Sequence, residues 1–294
     1  MRVLMLSTDR RIFERGSDVR ARHIAYGECF DELNIFVGSL KGNEYSVDEL
    51  SSKVKAYPIN ITSSAIWSSE IKTIVSLATR SDVVVVQDPV ESGIPGLSMA
   101  LFSHAPLYVQ VHTDLFGPEY RNLSGRNAWH ARLAGFTLRR AKRIRVVNDK
   151  VKQDIEKKYG TDIPITVLPV FVDVAKWNAL EKVKHPRFGL SALIVGRLEK
   201  EKNIDVAITA VHEAREAGHD IGLTIVGDGS EKEKLKALVK RLRIEEHVDF
   251  LGHHHDLSPF YASADVVLVT SEYEGYGMVI VEALAAHIPV IATD

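Results

Sequence analysis

Short runs of β-branched and apolar residues, each followed by a longer stretch of helical period, recur along the whole chain, and this rhythm restricts the fold more than any other feature. VLMLS at 3–7 leads into a helix-patterned stretch from Ser17 to about Leu33. NIFVGS (34–39), VVVVQD (83–88), LYVQVHT (107–113), IRVVND (144–149) and ITVLPV (165–170) follow. Runs that are apolar on both faces suit a parallel sheet covered by helices on each side. A second series begins with SALIVG (191–196) and continues through LTIVGDG (223–229), VDFLG (248–252), VVLVT (266–270) and PVIAT (289–293). Between the two series lies VDVAKWNALEKVKHPRFG, polar, Lys-rich and interrupted by Pro186, which reads as a linker. The expectation is an α/β chain with two doubly wound, Rossmann-like domains: 1–175, a linker at 176–189, and 190–294.

Composition excludes several functions. A formal charge of −2 gives no basic domain for nucleic acid. Cys29 is the single cysteine, so there is no disulfide framework and no thiolate zinc site, which fits a reducing compartment. The apolar run in MRVLMLSTDRR is too short for a signal peptide, and no stretch approaches the roughly 20 apolar residues of a membrane span. The localisation expected is cytoplasmic, with any membrane contact peripheral at the inner face.

Two segments carry chemistry. VGRLEKEKN at 195–203 sets Gly196 and Arg197 at a strand end and Lys202 before a helix that Asn203 could cap. An Arg fork, a Lys point charge and a helix N-terminus together match the oxygens of a diphosphate. The crevice beyond the strand ends is where such sheets bind ligands. The alternative is a solvated loop in which Arg197 and Lys202 pair with Glu199 and Glu201. The second segment, SEYEGYGMVIVEALAAHIPVIATD at 271–294, runs from a loop with Glu274, Gly275, Tyr276 and Gly277 into a helix with Glu282. If that helix begins near Gly277, the amides of Gly277, Met278 and Val279 offer donors to an anion or hydroxyl. Glu282 on the apolar MVIVEALAA helix is costly without donors, so a polar ligand or an Arg is expected beside it. The alternative makes Glu274 an exposed loop acid and Glu282 a structural pair.

Arg197 with Lys202, followed by Glu274 and Glu282 around Gly-Tyr-Gly-Met-Val, resembles glycosyltransferase family four, the retaining GT-B enzymes of the glycosyl transferases group 1. VVNDKVKQDIEKKYG, ITVLPVFVDVAKW, LTIVGDGSEKEKL and VDFLGHHHDLSPFYASADVVLVTS extend the resemblance over most of 105–294. It implies two Rossmann-like domains facing each other across a cleft, with an acceptor-binding first domain and a donor-binding second one. It also implies that Arg197 and Lys202 hold the diphosphate of a nucleotide-sugar and Glu282 its ribose. Glu274 and the backbone of Gly275–Val279 grip the sugar, and backbone near Leu251–His253 meets the base. By the same resemblance His112 stands beside the sugar and the attacking hydroxyl. The implied reaction is retaining transfer to a hydroxyl acceptor, lipid-linked or on a growing glycan, with the nucleotide-sugar as co-substrate and no metal or other cofactor. His253, His254 and His255 are adjacent, and adjacent residues seldom converge on one ion.

Two departures from the family pattern are visible. Many members carry a Gly-Gly loop after the first strand, whereas here TDRRIFERGSDVRARH leaves Gly16 with Ser17 as the nearest equivalent for a donor contact. Members also continue past the position of Asp294, so the second domain reads as truncated. That end makes a nucleotide-sugar-binding but inactive fragment one rival reading. Since GT-B architecture also serves nucleotide-sugar 2-epimerases and phosphorylases, a 2-epimerase is another, against which Glu274 and Glu282 argue for transfer. Eight Lys or Arg residues (121, 126, 132, 139, 140, 142, 143, 145) fall between Arg121 and Arg145 without an acid. With Leu133, Phe136 and Leu138 among them, they suggest an amphipathic basic helix against an anionic membrane or acceptor; a solvated helix with acids supplied by neighbours is the alternative.

Overall fold

The computed structural model describes residues 1–39, 45–60, 67–160 and 162–293; residue 294, the end of the expected second domain, lies outside them. Two compact units divide between Pro169 and Val170, and each is described by itself.

The first unit holds strands β1 (Arg2–Ser7), β2 (Glu32–Ser39), β3 (Asp48–Ser51), β4 (Val54–Asn60), β5 (Val83–Val86), β6 (Leu107–Val111), β7 (Arg143–Val146) and β8 (Ile165–Val167). They form one sheet in the order β3-β4-β2-β1-β5-β6-β7-β8. Alternation along β1 shows why both faces are covered: Val3 and Met5 join one core, Leu4 and Leu6 the other. The chain winds from β1 toward β4, then returns to β5 on the opposite side of β1, so the switch point lies between β1 and β5.

The β3–β4 hairpin was not expected. β3 runs antiparallel to β4 at the sheet edge, although the sequence reading foresaw parallel strands alone. VKAYPIN hides its strand character because Lys55, Tyr57 and Pro58 dilute it, while Val54 and Ala56 are fully buried. Pro58 is tolerated because it pairs with Val37 on β2 and lies beyond the last β3 partner, Asp48 opposite Ala56. The first helix, Asp18–Gly27, is capped by Ser17, whose hydroxyl accepts from the Arg20 amide at 3.1 Å. It stops short of Leu33 because i+3 bonds at Glu28, Cys29 and Phe30 tighten the chain into β2.

The second unit holds β9 (Leu190–Val195), β10 (Ile221–Val226), β11 (Val248–Gly252), β12 (Val266–Val269) and β13 (Val290–Ala292), ordered β11-β10-β9-β12-β13 and all parallel. Its switch point lies between β9 and β12. These strands pair only at Ala192–Val266 and Leu193–Val267, so they part toward their carboxyl ends. The segment 176–189 was expected to stand between domains, but its residues pack on the second unit. Trp177 is buried with its ring centroid 4.9 Å from that of Tyr261, and the Val183 amide donates to Ala262 at 3.0 Å. An indole of that area gains more from burial than a connector of polar residues could.

Candidate functional site

In the second unit the parting of β9 and β12 opens a crevice lined by Gly196, Arg197, Lys202, Thr270, Ser271, Glu274 and Val279 among others. Backbone contacts build it. Gly196 donates to Val226 at 3.0 Å, Leu198 to Asp228 at 2.9 Å and Gly227 to Gly252 at 2.8 Å, tying the ends of β9, β10 and β11 together. A Cβ at Gly227, whose φ is +146°, would lie 1.8 Å from the Gly196 carbonyl oxygen, so only glycine permits this approach.

Lys202 ends a 3₁₀ turn, Lys200–Lys202, before the helix Ile204–Glu216. Asn203 does not cap that helix with its side chain; its backbone is left-handed at φ 44°, closing the turn through a bond from its amide to the Lys200 carbonyl. The Thr270 hydroxyl donates to the Lys202 carbonyl at 2.9 Å, which anchors the turn to the end of β12. Lys202 Nζ then reaches Glu274 Oε1 at 2.6 Å, and the Ser271 hydroxyl donates to the same oxygen at 2.6 Å. Arg197 pairs with Glu201 at 3.0 Å with its side chain 73% exposed. Such a surface pair contributes at most about 1 kcal/mol, so an arriving anion replaces it easily. Glu199 instead accepts from Ser230 and is held below the ordinary carboxylate range by that hydroxyl and amide.

The second signature segment folds as the helix Met278–Ala285, with Gly277 left-handed at φ 74° in the cap position. Among the described residues, no protein acceptor meets the amides of Gly277, Met278 or Val279. Gly275, Tyr276, Gly277, Met278 and Glu282 do not line the crevice, whereas Val279 does. Glu282 is half-buried one turn into the helix, and its Oε2 accepts from the hydroxyl of Tyr261 at 2.8 Å. Tyr261 is fully buried, and burial followed by the neighbouring Glu282 charge pushes its phenol far above the usual range. It therefore stays a donor, and it is a partner that residue-type reasoning missed. Its signal was the apolar periodicity of SPFYA before the VVLV strand.

The first unit carries its own crevice at the β1/β5 switch point, a cavity of about 310 Å³ lined by residues that follow β1, β5 and β6. Its polar lining includes two carboxylates, Asp88 and Glu91, as well as Gln87, His112, Arg126 and His130. Gly16 lies elsewhere, at the turn before Ser17, and does not line it. His112 Nε2 is 3.1 Å from Gln110 Oε1. Burial first, then the charges of Arg145 and Arg22, lower its pKa to about 4 against a smaller opposing pull from Asp88. Behind Gln87, the Ser7 hydroxyl donates to its oxygen at 2.6 Å and its nitrogen meets buried His23 at 3.2 Å, so this wall is rigidly hydrogen-bonded.

The basic stretch is not one helix. Arg121 lies in the last turn of the helix Pro118–Leu123, a second helix spans Gly125–Leu138, and Arg143 and Arg145 lie on β7. Arg126 pairs with Glu91, Arg139 stacks 5.2 Å from the Tyr159 ring, and Leu138 is buried. The exposed apolar side chains are Trp129 at 62% and Phe136 at 59%, with Arg132, Arg139 and Arg140 also exposed. The sequence reading named Leu133, Phe136 and Leu138 as the apolar members of this stretch; Trp129 takes the exposed place that buried Leu138 does not. His254 takes the Leu251 carbonyl at 3.1 Å and packs on Phe260. Among the described residues no three His, Cys, Asp or Glu side chains cluster as a metal site, and no helix is long and apolar enough to cross a membrane.

Two family models match the chain: Glycosyltransferase Family 4 over residues 43–176 and Glycosyl transferases group 1 over residues 176–294. Glycogen synthase of Mycobacterium tuberculosis (strain ATCC 25618 / H37Rv) is 28% identical over 221 residues, 73% of this chain and 52% of that protein. The UDP-N-acetylglucosamine--peptide N-acetylglucosaminyltransferase GtfA subunit of Streptococcus agalactiae is 34% identical over 139 residues, 47% of this chain and 27% of that one. The chain thus spans about half the length of these curated relatives or less. Among solved structures, sucrose-phosphate synthase from Thermosynechococcus elongatus matches with a TM-score of 0.77 at 16% identity, covering 99% of this chain and 81% of that one. Anabaena Alr3699/HepE in complex with UDP and glucose matches at 0.75 and 20%, covering 99% and 80%. At these identities the solved structures establish a shared fold.

Proposed function

We propose that this chain, which belongs to the GT-B glycosyltransferases of group 1, transfers a sugar from a nucleotide-diphosphate sugar to a hydroxyl acceptor with retention of configuration. The observation that carries the reading is the crevice between β9 and β12, where Arg197, Lys202, Glu274 and Val279 of the Met278–Ala285 helix line one opening. Arg197 and Lys202 take the diphosphate, and the amides of Gly277, Met278 and Val279 with Glu274 take the sugar hydroxyls. In the structure Lys202 and Glu274 neutralise each other. When the donor binds, a phosphate oxygen replaces Glu274 on Lys202, and Glu274, still accepting from Ser271, takes a hydrogen bond from a sugar hydroxyl in place of Lys202. Glu282, held by Tyr261, takes the ribose. Gly275 and Tyr276 shape the loop around the sugar, and His112 of the first unit stands beside the attacking hydroxyl.

Retention follows from front-face attack through an oxocarbenium-like state, in which negative charge builds on the departing diphosphate. Once released from Glu201 and Glu274, Arg197 and Lys202 stabilise that charge in place of a metal ion. UDP is the nucleotide expected: the HepE neighbour was solved with UDP, and the GtfA relative is named for a UDP-sugar. The acceptor is a hydroxyl on a lipid-linked or growing glycan, and the Trp129/Phe136 face with Arg132, Arg139 and Arg140 supplies peripheral membrane contact on the cytoplasmic side.

A panel of UDP-, GDP- and ADP-sugars tests the reading by thermal shift and by release of the free nucleoside diphosphate in the presence of saccharide acceptors. A shift with a UDP-sugar and acceptor-dependent release of UDP, unchanged by EDTA, is the expected result. A shift without release identifies a binding fragment, and epimerised donor without an acceptor product identifies a 2-epimerase. A folded sample that responds to no nucleotide sinks the proposal.

A further inference from the structure

The register of β6 and β7 sets Gln110 directly opposite Arg145, and His112 follows Gln110 by two residues, which turns both side chains toward the same face. Gln110 Oε1 lies 3.1 Å from Arg145 Nη1 and 3.1 Å from His112 Nε2. A guanidinium only donates, so the Gln110 atom facing it must be the carbonyl oxygen, and that same oxygen can only accept from the imidazole. We infer that Gln110 and Arg145 lock His112 with its proton on Nε2, so that Nδ1 presents a lone pair to a hydroxyl group bound in the cavity of the first unit. The inference rests on the reading of His112 as the residue beside the attacking hydroxyl, and it makes Gln110 and Arg145 positioning residues.

Arg145 cannot easily release the amide. Its Nε donates to the Leu168 carbonyl at 2.9 Å and its Nη2 to the Pro169 carbonyl at 2.8 Å, so the guanidinium is held from three directions. The lock therefore runs from the last residues of the first unit, through β7 and β6, to the imidazole. Among the described residues no protein atom is hydrogen-bonded to His112 Nδ1. The charges acting on the ring reinforce the neutral form: Arg145 and Arg22 disfavour an imidazolium, and Asp88 opposes them more weakly. A neutral ring with a fixed tautomer orients an incoming hydroxyl by accepting its hydrogen bond, which an unlocked ring does only part of the time.

Histidine labelled with ¹⁵N reads the lock directly in the intact chain, because protonated and bare ring nitrogens resonate far apart; His112 is assigned by the signal missing from His112→Gln. The expected result at neutral pH is protonated Nε2 and bare Nδ1 in the parent. In Arg145→Met the amide is free to flip and donate to the ring, and His112 becomes a mixture of tautomers. Gln110→Glu keeps both acceptor contacts, so it keeps the Nε2 proton while the His112 titration moves upward. A parent ring protonated on Nδ1, or a tautomer unchanged in both Arg145→Met and Gln110→Leu, overturns the inference without needing any activity. With a UDP-sugar donor, Arg145→Met should lower kcat about tenfold while leaving the donor KM in place, as expected for one misoriented hydrogen bond. If the tautomer responds and kcat does not, the lock stands and the assignment of His112 to the reacting hydroxyl fails.

Discussion

Both units open a crevice at the switch point of a doubly wound sheet, yet the two crevices are furnished differently. Between β9 and β12, paired charges meet: Arg197 is exposed on a surface pair with Glu201, and Lys202 is paired with Glu274. Between β1 and β5, the wall of the cavity of about 310 Å³ is fixed by the bonds of Gln87 to Ser7 and His23 and of His112 Nε2 to Gln110, and its histidine is neutral. Topology supplies the opening in each case, and side chains select the guest. Exchangeable cations suit a dianionic leaving group, and a fixed neutral acceptor suits a hydroxyl.

The sharpest way to break this comparison is to remove a cation. Lys202→Met should lower transfer by about 10²–10³-fold, the usual cost of losing one preorganised contact to developing charge. Its effect should be far larger on kcat than that of any neutral substitution in the first cavity; equal effects on the two sides would erase the distinction. Glu274→Gln should follow, with kcat reduced about 10- to 100-fold because a hydrogen bond to a charged group is worth roughly 1.5–3 kcal/mol, and with nucleotide binding by calorimetry little altered. Tyr261→Phe keeps the contact with Trp177 and deletes only the donor to Glu282. Donor KM should rise about tenfold at nearly constant kcat, with a loss of stability of about 1–3 kcal/mol for the donor removed from Glu282; a fall in Tm with donor KM unchanged would make the tyrosine structural only.

A smaller effect concerns pH. His112 titrates near 4 in the folded chain against an ordinary 6.5, so between those values the unfolded chain binds more protons. Its contribution to stability is complete above pH 6.5 and declines as pH falls toward 4. Urea midpoints of His112→Asn, taken relative to the parent, should therefore improve across that window; a constant difference would mean that the ring is not held neutral. The smallest expected effect is on association. Arg132→Gln, Arg139→Gln and Arg140→Gln together should weaken co-sedimentation with anionic vesicles by about 1 kcal/mol per charge at most, leaving turnover on a soluble acceptor unchanged. No sedimentation by the parent would remove the membrane contact from the proposal.

Much of this was legible in residue order. The βα rhythm marked eleven of the strands, and the pairing of a cationic strand end with a Gly-rich turn into an apolar helix pointed to Arg197, Lys202 and Glu274, which the structure gathers at one crevice. The β3–β4 hairpin escaped because an edge strand needs only one apolar face, and Lys55, Tyr57 and Pro58 occupy the rest of it. The segment around Trp177 looked like a connector because its polar residues outnumber the one indole that docks it. Eight cationic residues suggested one basic helix, but β7 takes Arg145 away to serve Gln110.

Sequence alone determined the layered α/β architecture and the kinds of groups available at the strand ends, because periodicity and residue type are local properties that burial enforces strand by strand. Tertiary structure alone decided who meets whom: Glu274 with Lys202, Tyr261 with Glu282, Arg145 with Gln110 and His112. Those partners are separated by 72, 21 and 35 residues, and which of many equivalent donors an acid or amide finds depends on register and close backbone approach, such as that at Gly227, rather than on any pattern along the chain.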